Sequence, residues 1–155
     1  MSHSRAHTGS LREHLTYDDH GRLSARLWLN EKNELEGEGT YYSNGLLIFK
    51  ATYHKGKLHG PASTYHPSGH IQSTMYHHEG HLQGERYHYD ENGTVVQQET
   101  FHQGTMHGAF KSYHPDGSIA IEGTYHHHCK IGPWSHYNKD GEETYSKDHG
   151  THPIK

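Results

Sequence analysis

One hydrophobic pattern recurs along this chain at a fixed interval. A glycine stands at positions 21, 45, 69, 93, 117 and 141, each 24 residues after the last. A tyrosine precedes each by four: Tyr17, Tyr41, Tyr65, Tyr89, Tyr113 and Tyr137. Two residues after the glycine come Leu23, Leu47, Ile71, Val95 and Ile119, with Glu143 ending the series. Two further glycine sets keep the spacing: Gly60, Gly84, Gly108 and Gly132, and Gly56, Gly80 and Gly104 with His128 in the next place. Tyr, Thr and aliphatic residues flank turn dipeptides such as Asn44-Gly45, Ser68-Gly69 and Asp116-Gly117, a composition that predicts β-hairpins. The glycine supplies the positive φ that a hairpin turn or its bulge requires. Pro67 and Pro115 sit where a φ near −65° is already needed. Only residues 10–15 and 29–36 have helix-forming composition, and neither sustains a 3.6-residue period.

The expected architecture is all-β, a single-layer antiparallel meander of 24-residue hairpin repeats. Residues 1–11 form a leader, expected to be flexible, and 12–155 one repeat domain. Its units are 12–35, 36–59, 60–83, 84–107, 108–131 and 132–155. Two strands per unit put equivalent residues about 10 Å apart, in a ribbon of about 55–60 Å. The tyrosines and aliphatics would then form stripes in which each side chain packs on its neighbour one unit away. In the last unit Glu142, Glu143, Lys147 and Asp148 replace apolar residues, which suits a capped open edge.

The segments YHKGKLHG (53–60), FHQGTMHG (101–108) and YHHEGHLQG (76–84) resemble MORN repeats, whose hallmark is an aromatic, a glycine and a His-Gly-type pair. With the Tyr-x-x-x-Gly element they are most similar to the bacterial MORN-variant repeats, often associated with antitoxins. The resemblance is strong over 37–141 and weak over 12–36. It departs at two places: His77 takes the aromatic slot in register, Tyr76 being one position off, and His128 replaces a turn glycine. The resemblance implies an interaction surface, and in its most concrete form an antitoxin or immunity protein that binds a cognate toxin.

Composition narrows the class further. Leu, Ile, Val and Phe number 10, 6, 2 and 3 among 155 residues, too few to fill a thick two-layer core. With 12 Tyr and a net charge of only −4, disorder does not fit either. A thin sheet built on tyrosine satisfies both facts. No apolar run approaches the length of a membrane span, and the N-terminal residues lack a secretory signal pattern. The single cysteine, Cys129, makes a reducing, cytoplasmic compartment the expectation. With 14 basic against 18 acidic residues, charge gives no reason to expect nucleic acid.

Enzyme signatures are missing from the sequence: no nucleophile elbow, phosphate-binding loop or Rossmann fingerprint occurs. The expectation is a non-catalytic protein. For partner binding the candidates are the row Tyr41, Tyr65, Tyr89, Tyr113 and Tyr137, together with Phe110 and Trp134, which share a slot with Ala62 and Arg86. Tyrosine and tryptophan suit interfaces because they offer large area at small rotamer cost. The blander account of the row is the ribbon's own packing. Histidine is the compositional outlier, at 21 residues. His54, His78, His102 and His126 share one slot, and His59 and His107 follow His54 and His102 by five residues across a turn. The candidate ligands for zinc or another transition metal, such as nickel or copper, are His54, His59, His102, His107, His126 and His128. Slots about 10 Å apart are loose for sharing an ion. Histidine-rich metal binding and self-association through open edges are the alternatives to binding another protein.

Overall fold

The computed structural model describes residues 9–151. Most of the expected leader, residues 1–8, and the last four residues lie outside the described residues. Among the described residues the chain forms no helix and fourteen strands. They are β1 (Arg12–Tyr17), β2 (Leu23–Leu29), β3 (Gly37–Ser43), β4 (Leu46–His54), β5 (Lys57–Tyr65), β6 (Ile71–His78) and β7 (His81–Leu82). There follow β8 (Gly84–Tyr89), β9 (Val95–His102), β10 (Thr105–Met106), β11 (Gly108–Tyr113), β12 (Ile119–His126), β13 (Cys129–Tyr137) and β14 (Glu143–Asp148). All belong to one antiparallel sheet in which sequence neighbours pair, with β7 and β10 as short spurs on β6 and β9. The expected single-layer meander is what forms.

Two turn types alternate along the sheet's two rims. On one rim the Tyr-x-x-x-Gly element closes a type I turn with a glycine bulge. The Gly69 N–H donates to the His66 carbonyl (2.9 Å) and the His66 N–H to the His70 carbonyl (2.8 Å). The same bonds recur at 18–22, 90–94, 114–118 and 138–142. An Asp or Asn at the turn's start adds a cap: Asp90 Oδ1 accepts from the amides of Asn92 and Thr94, both at 2.9 Å. On the other rim two-residue turns join His54 to Lys57, His78 to His81, His102 to Thr105 and His126 to Cys129. Both central residues there have positive φ, from Lys55-Gly56 (50° and 81°) to His127-His128 (45° and 68°), the conformation that matches the twist of a two-residue hairpin.

At each bulged rim the tyrosine faces the aliphatic residue across the hairpin: Tyr17 opposite Leu23, Tyr65 opposite Ile71, Tyr89 opposite Val95 and Tyr113 opposite Ile119. The second hairpin departs. There the residue opposite Leu47 is Tyr42, not Tyr41, across a two-residue Asn44-Gly45 turn. The preceding connection, closed by the Leu29–Leu35 bridge, is one residue longer than its counterpart between Tyr53 and Leu58. The two changes cancel, so the glycine spacing is intact while β3 is displaced by one residue. Because successive strand residues point to opposite faces, that slip turns Tyr41 over. It packs on Phe49 (5.8 Å between ring centroids) and shares a 2.6 Å hydrogen bond with the Tyr53 hydroxyl. Burial and this bond push the Tyr53 hydroxyl well above its ordinary pKa.

The face carrying Tyr41 holds what core the sheet has. A row crosses it through Leu27, Gly39, Ala51, Ala62, Met75, Arg86, Glu99, Phe110, Gly123, Trp134 and Lys147, residues paired within hairpins or adjacent between them. Its buried members are small (Ala51, Ala62) or wedged among neighbours (Glu99, Trp134). No large side chain among the described residues is fully buried, as expected of a sheet without a second layer.

Candidate functional site

The opposite face carries the tyrosine row. The Tyr89, Tyr113 and Tyr137 hydroxyls each reach back to the previous hairpin: to Thr74 Oγ1 (3.2 Å), Gln98 Oε1 (3.4 Å) and Glu122 Oε1 (3.0 Å). Each ring therefore links two hairpins with one edge and leaves the other toward solvent, half-buried. Tyr65 stands in the same row, and Tyr41 does not. Beside Tyr65 the register sets Ile71 on one side, and Ile48 on the other, one step beyond the Phe49–Thr64 pair. Ile48 and Ile71 are 43% and 42% exposed, and Leu46 and Tyr17 on the same rim are exposed as well. Sequence reasoning passed over Leu46 and Ile48. The signal was there: an LLIF run (46–49) carries more apolar residues than a half-buried strand with period-two alternation needs.

Trp134 and Phe110 lie on the other face. Trp134 is only 3% exposed, stacked on Phe110 (5.3 Å), edge-on to Tyr125 (4.9 Å) and under the Lys130 ammonium (4.4 Å). Its indole N–H donates to the Thr124 carbonyl (3.1 Å). The sheet's own packing thus occupies this candidate contact residue, while Phe110 beside it stays half-buried. The reason is Gly123, which leaves room for the indole to lie down on the sheet.

In the middle of that row a buried ion pair replaces apolar packing. Glu99, 6% exposed, accepts from Arg86 Nε (2.6 Å) and Gln97 Nε2 (2.7 Å), and His88 Nε2 lies 3.4 Å away. The Arg86 guanidinium also lies over the Phe101 ring, 4.8 Å from its centroid.

The two-residue turns form a histidine rim. His54, His78, His102 and His126 do recur there, but they are not isolated from one unit to the next. His59 stands between His54 (5.9 Å) and His78 (4.9 Å), and His107 between His102 (6.0 Å) and His126 (4.7 Å). The pairing of Gly108 with Tyr125 is what brings His107 beside His126. The tighter approach is thus to the following unit and not across the same turn. His107 also meets His127 (5.1 Å), and one ring nitrogen from each of His107, His126 and His127 falls within 4.8 Å of the others. Sequence reasoning named His107 and His126 but chose His128 over His127. His128 Nδ1 is engaged instead, accepting from the Met106 N–H (3.2 Å). His54 is paired with Glu36 (2.7 Å), whose other oxygen accepts from the Lys55 N–H (2.9 Å). Those bonds and the facing imidazole hold the Glu36 carboxyl below its ordinary pKa.

The remaining features have structural accounts. His77 fills the buried aromatic slot at 7% exposure while Tyr76 faces out at 45%, as the register predicted. The Nε2 atoms of His66 and His114 bond to the carbonyls of Tyr89 (2.9 Å) and Tyr137 (2.8 Å), tying adjacent bulged turns together. Cys129 is exposed and unpaired. No helix among the described residues is long and apolar enough to cross a membrane.

The MORN repeat variant family matches three consecutive segments, residues 58–79, 82–103 and 106–127. These segments, less than half of the chain, are similar to MORN-variant repeats, and the match starts just past the displaced β3–β4 hairpin. No curated protein sequence matches the chain. Among solved structures, a mutant of S. aureus TarM in complex with fondaparinux, alpha-GlcNAc-glycerol and UDP is similar at 12% identity and TM-score 0.41, covering 59% of this chain and 20% of that one. Another structure of TarM gives 14% identity and TM-score 0.40 over 58% of this chain and 19% of that one. A GtfA/B complex bound to UDP and GlcNAc gives 10% and 0.34 over 88% and 24%. The chain spans about a fifth to a quarter of the length of those proteins, and at these scores the likeness carries no argument about activity.

Proposed function

We propose that this chain is a non-catalytic protein-binding module, most concretely an antitoxin or immunity protein that covers a toxin's active site. The observation that supports this reading is the stripe formed by Tyr42, Leu47, Ile48, Tyr65 and Ile71 along one bulged rim. It is an open apolar surface on a sheet with no second layer. Exposed apolar patches of this kind mark interaction sites, and further along the same row the half-buried Tyr89, Tyr113 and Tyr137 are already fixed by hydroxyl bonds and lose little entropy on docking. The mechanism is steric: a broad rigid face occludes a cleft and does no chemistry. The MORN-type repeats support the binding role in general, and the antitoxin role is the specific form proposed.

The test is a pull-down with the tagged full chain from its native host at near-physiological salt, read by mass spectrometry. The expected result is one stoichiometric protein that is toxic when expressed alone and neutralised by co-expression of this chain. The Ile48→Arg, Ile71→Arg double variant, altered only at exposed positions, should fold normally and fail to neutralise. Recovery of the chain alone, or full neutralisation by the variant, would overturn the reading.

A further inference from the structure

Along the histidine rim two recurring bonds tie successive turns together. The backbone N–H of the turn's second residue donates to a carbonyl of the preceding turn: Gly56 to Leu35 (2.9 Å), Gly80 to Leu58 (2.7 Å), Gly104 to Leu82 (2.8 Å) and His128 to Met106 (2.9 Å). The N–H of the turn's first residue donates to a side chain of the preceding turn: Lys55 to Glu36 Oε2 (2.9 Å), Glu79 to His59 Nδ1 (3.1 Å) and Gln103 to Gln83 Oε1 (3.0 Å). His107 stands where His59 and Gln83 stand, 24 residues further on, and there the second bond is missing. Its Nδ1 is closed off from solvent and has no partner. The link is made in the reverse sense instead, with the Met106 N–H on His128 Nδ1.

A buried imidazole nitrogen without a partner calls for an explanation. So does His128 itself, a left-handed residue (φ 68°) where the three preceding turns have glycine. Strain of this kind clusters where it serves a function. The consequence of both departures is local: the ring of His107 is released from turn-clamping and meets two further imidazoles.

We propose that His107, His126 and His127 form a three-imidazole site for one zinc-class divalent ion, with the fourth position left to water. Ligand nitrogens on a common tetrahedral Zn²⁺ at about 2.0–2.1 Å lie about 3.3 Å apart. The observed spread of up to 4.8 Å closes by side-chain rotation at the rim without moving the sheet. An all-nitrogen set suits zinc, copper or nickel over magnesium or calcium, which need oxygen ligands. The sister position explains why one site is expected and not two. At His59 the residue corresponding to His127 is Glu79, and its backbone N–H already occupies His59 Nδ1. This inference is independent of partner binding, since the rim lies at the other end of the strands from the Ile48–Ile71 stripe.

The experiment is calorimetric titration of the purified full chain with Zn²⁺ at pH 7.5. One ion per chain with a Kd of about 10 µM or tighter is expected, and His107→Gln, His126→Gln and His127→Gln should each weaken it by at least about tenfold. His59→Gln should leave the tight binding unchanged. Circular dichroism checks each fold, and if His107→Gln does not fold, His127→Gln at the exposed turn gives the same reading. Several equivalent ions per chain, weakened alike by His59→Gln and His107→Gln, would overturn the proposal. So would binding that His127→Gln leaves intact, or no binding at Zn²⁺ concentrations about 100-fold above that Kd.

Discussion

The indole of Trp134 lies on the backbone of Gly123. A Cβ built at Gly123 would come within 2.2 Å of Cδ2 and Cε2 of the ring. A strand glycine normally weakens a sheet; here its bare face is what lets a tryptophan be buried without a second layer. Gly39 repeats the arrangement near the other end of the same row, where a Cβ would meet Leu27 Cδ2 at 2.8 Å and the Tyr53 ring at 3.1 Å. Large side chains on glycine thus lie near both ends of the row, with Ala51, Ala62 and the Arg86–Glu99 pair between them.

Gly123→Ala is therefore expected to destabilise the chain by about 2 kcal/mol through overpacking. Trp134→Ala should cost about 3 kcal/mol as a lost buried aromatic. In the Trp134→Ala background the Gly123→Ala change should be neutral or stabilising. Urea unfolding of the four proteins of this cycle measures the coupling directly.

Arg86 and Glu99 should behave as a unit. Arg86→Ala leaves a buried carboxylate with its strongest partner gone and is expected to cost about 3 kcal/mol or more. The double change to Met at both positions should recover most of that loss, because the adjoining places in the row hold Met75 and Phe110. Thermal melts of the single and double variants decide it.

His77 sets part of the pH dependence. Burial lowers its pKa from the ordinary value of 6.5, so the unfolded chain binds the proton more readily. Its contribution is therefore fully present above about pH 6.5 and is lost as pH falls toward the lowered value. His77→Phe, the residue that Phe101 already supplies in the same slot, should raise stability by about 1 kcal/mol by removing a buried nitrogen without a partner. It should also flatten the stability curve below pH 6.5. His107 shifts in the same direction and keeps part of the slope in the variant.

His128→Gly should stabilise the apo chain by about 1 kcal/mol, since glycine carries no Cβ penalty in the left-handed region. The lost acceptor for the Met106 N–H lies at an exposed rim, where water replaces it. Zinc binding at His107, His126 and His127 should persist in this variant. Unfolding with and without Zn²⁺ reads both effects.

The sequence by itself determined the hairpins, their antiparallel order and the single layer. Those features rest on local turn chemistry and on a shortage of aliphatic residues, both visible one residue at a time. It also placed His77 in the aromatic slot and Tyr76 outside it, because period two allows no other assignment. Only the tertiary structure decided which face Tyr41 joins, since a longer connection at 29–35 and a shorter turn at 42–47 cancel in the glycine spacing. It alone decided that Trp134 is covered, because the space comes from Gly123 on the neighbouring strand. And it alone chose His127 over His128, through a backbone turn that points one imidazole at His107 and the other at the Met106 amide. Spacing along a chain fixes what repeats; which side chains meet across strands depends on register and on the room each neighbour leaves.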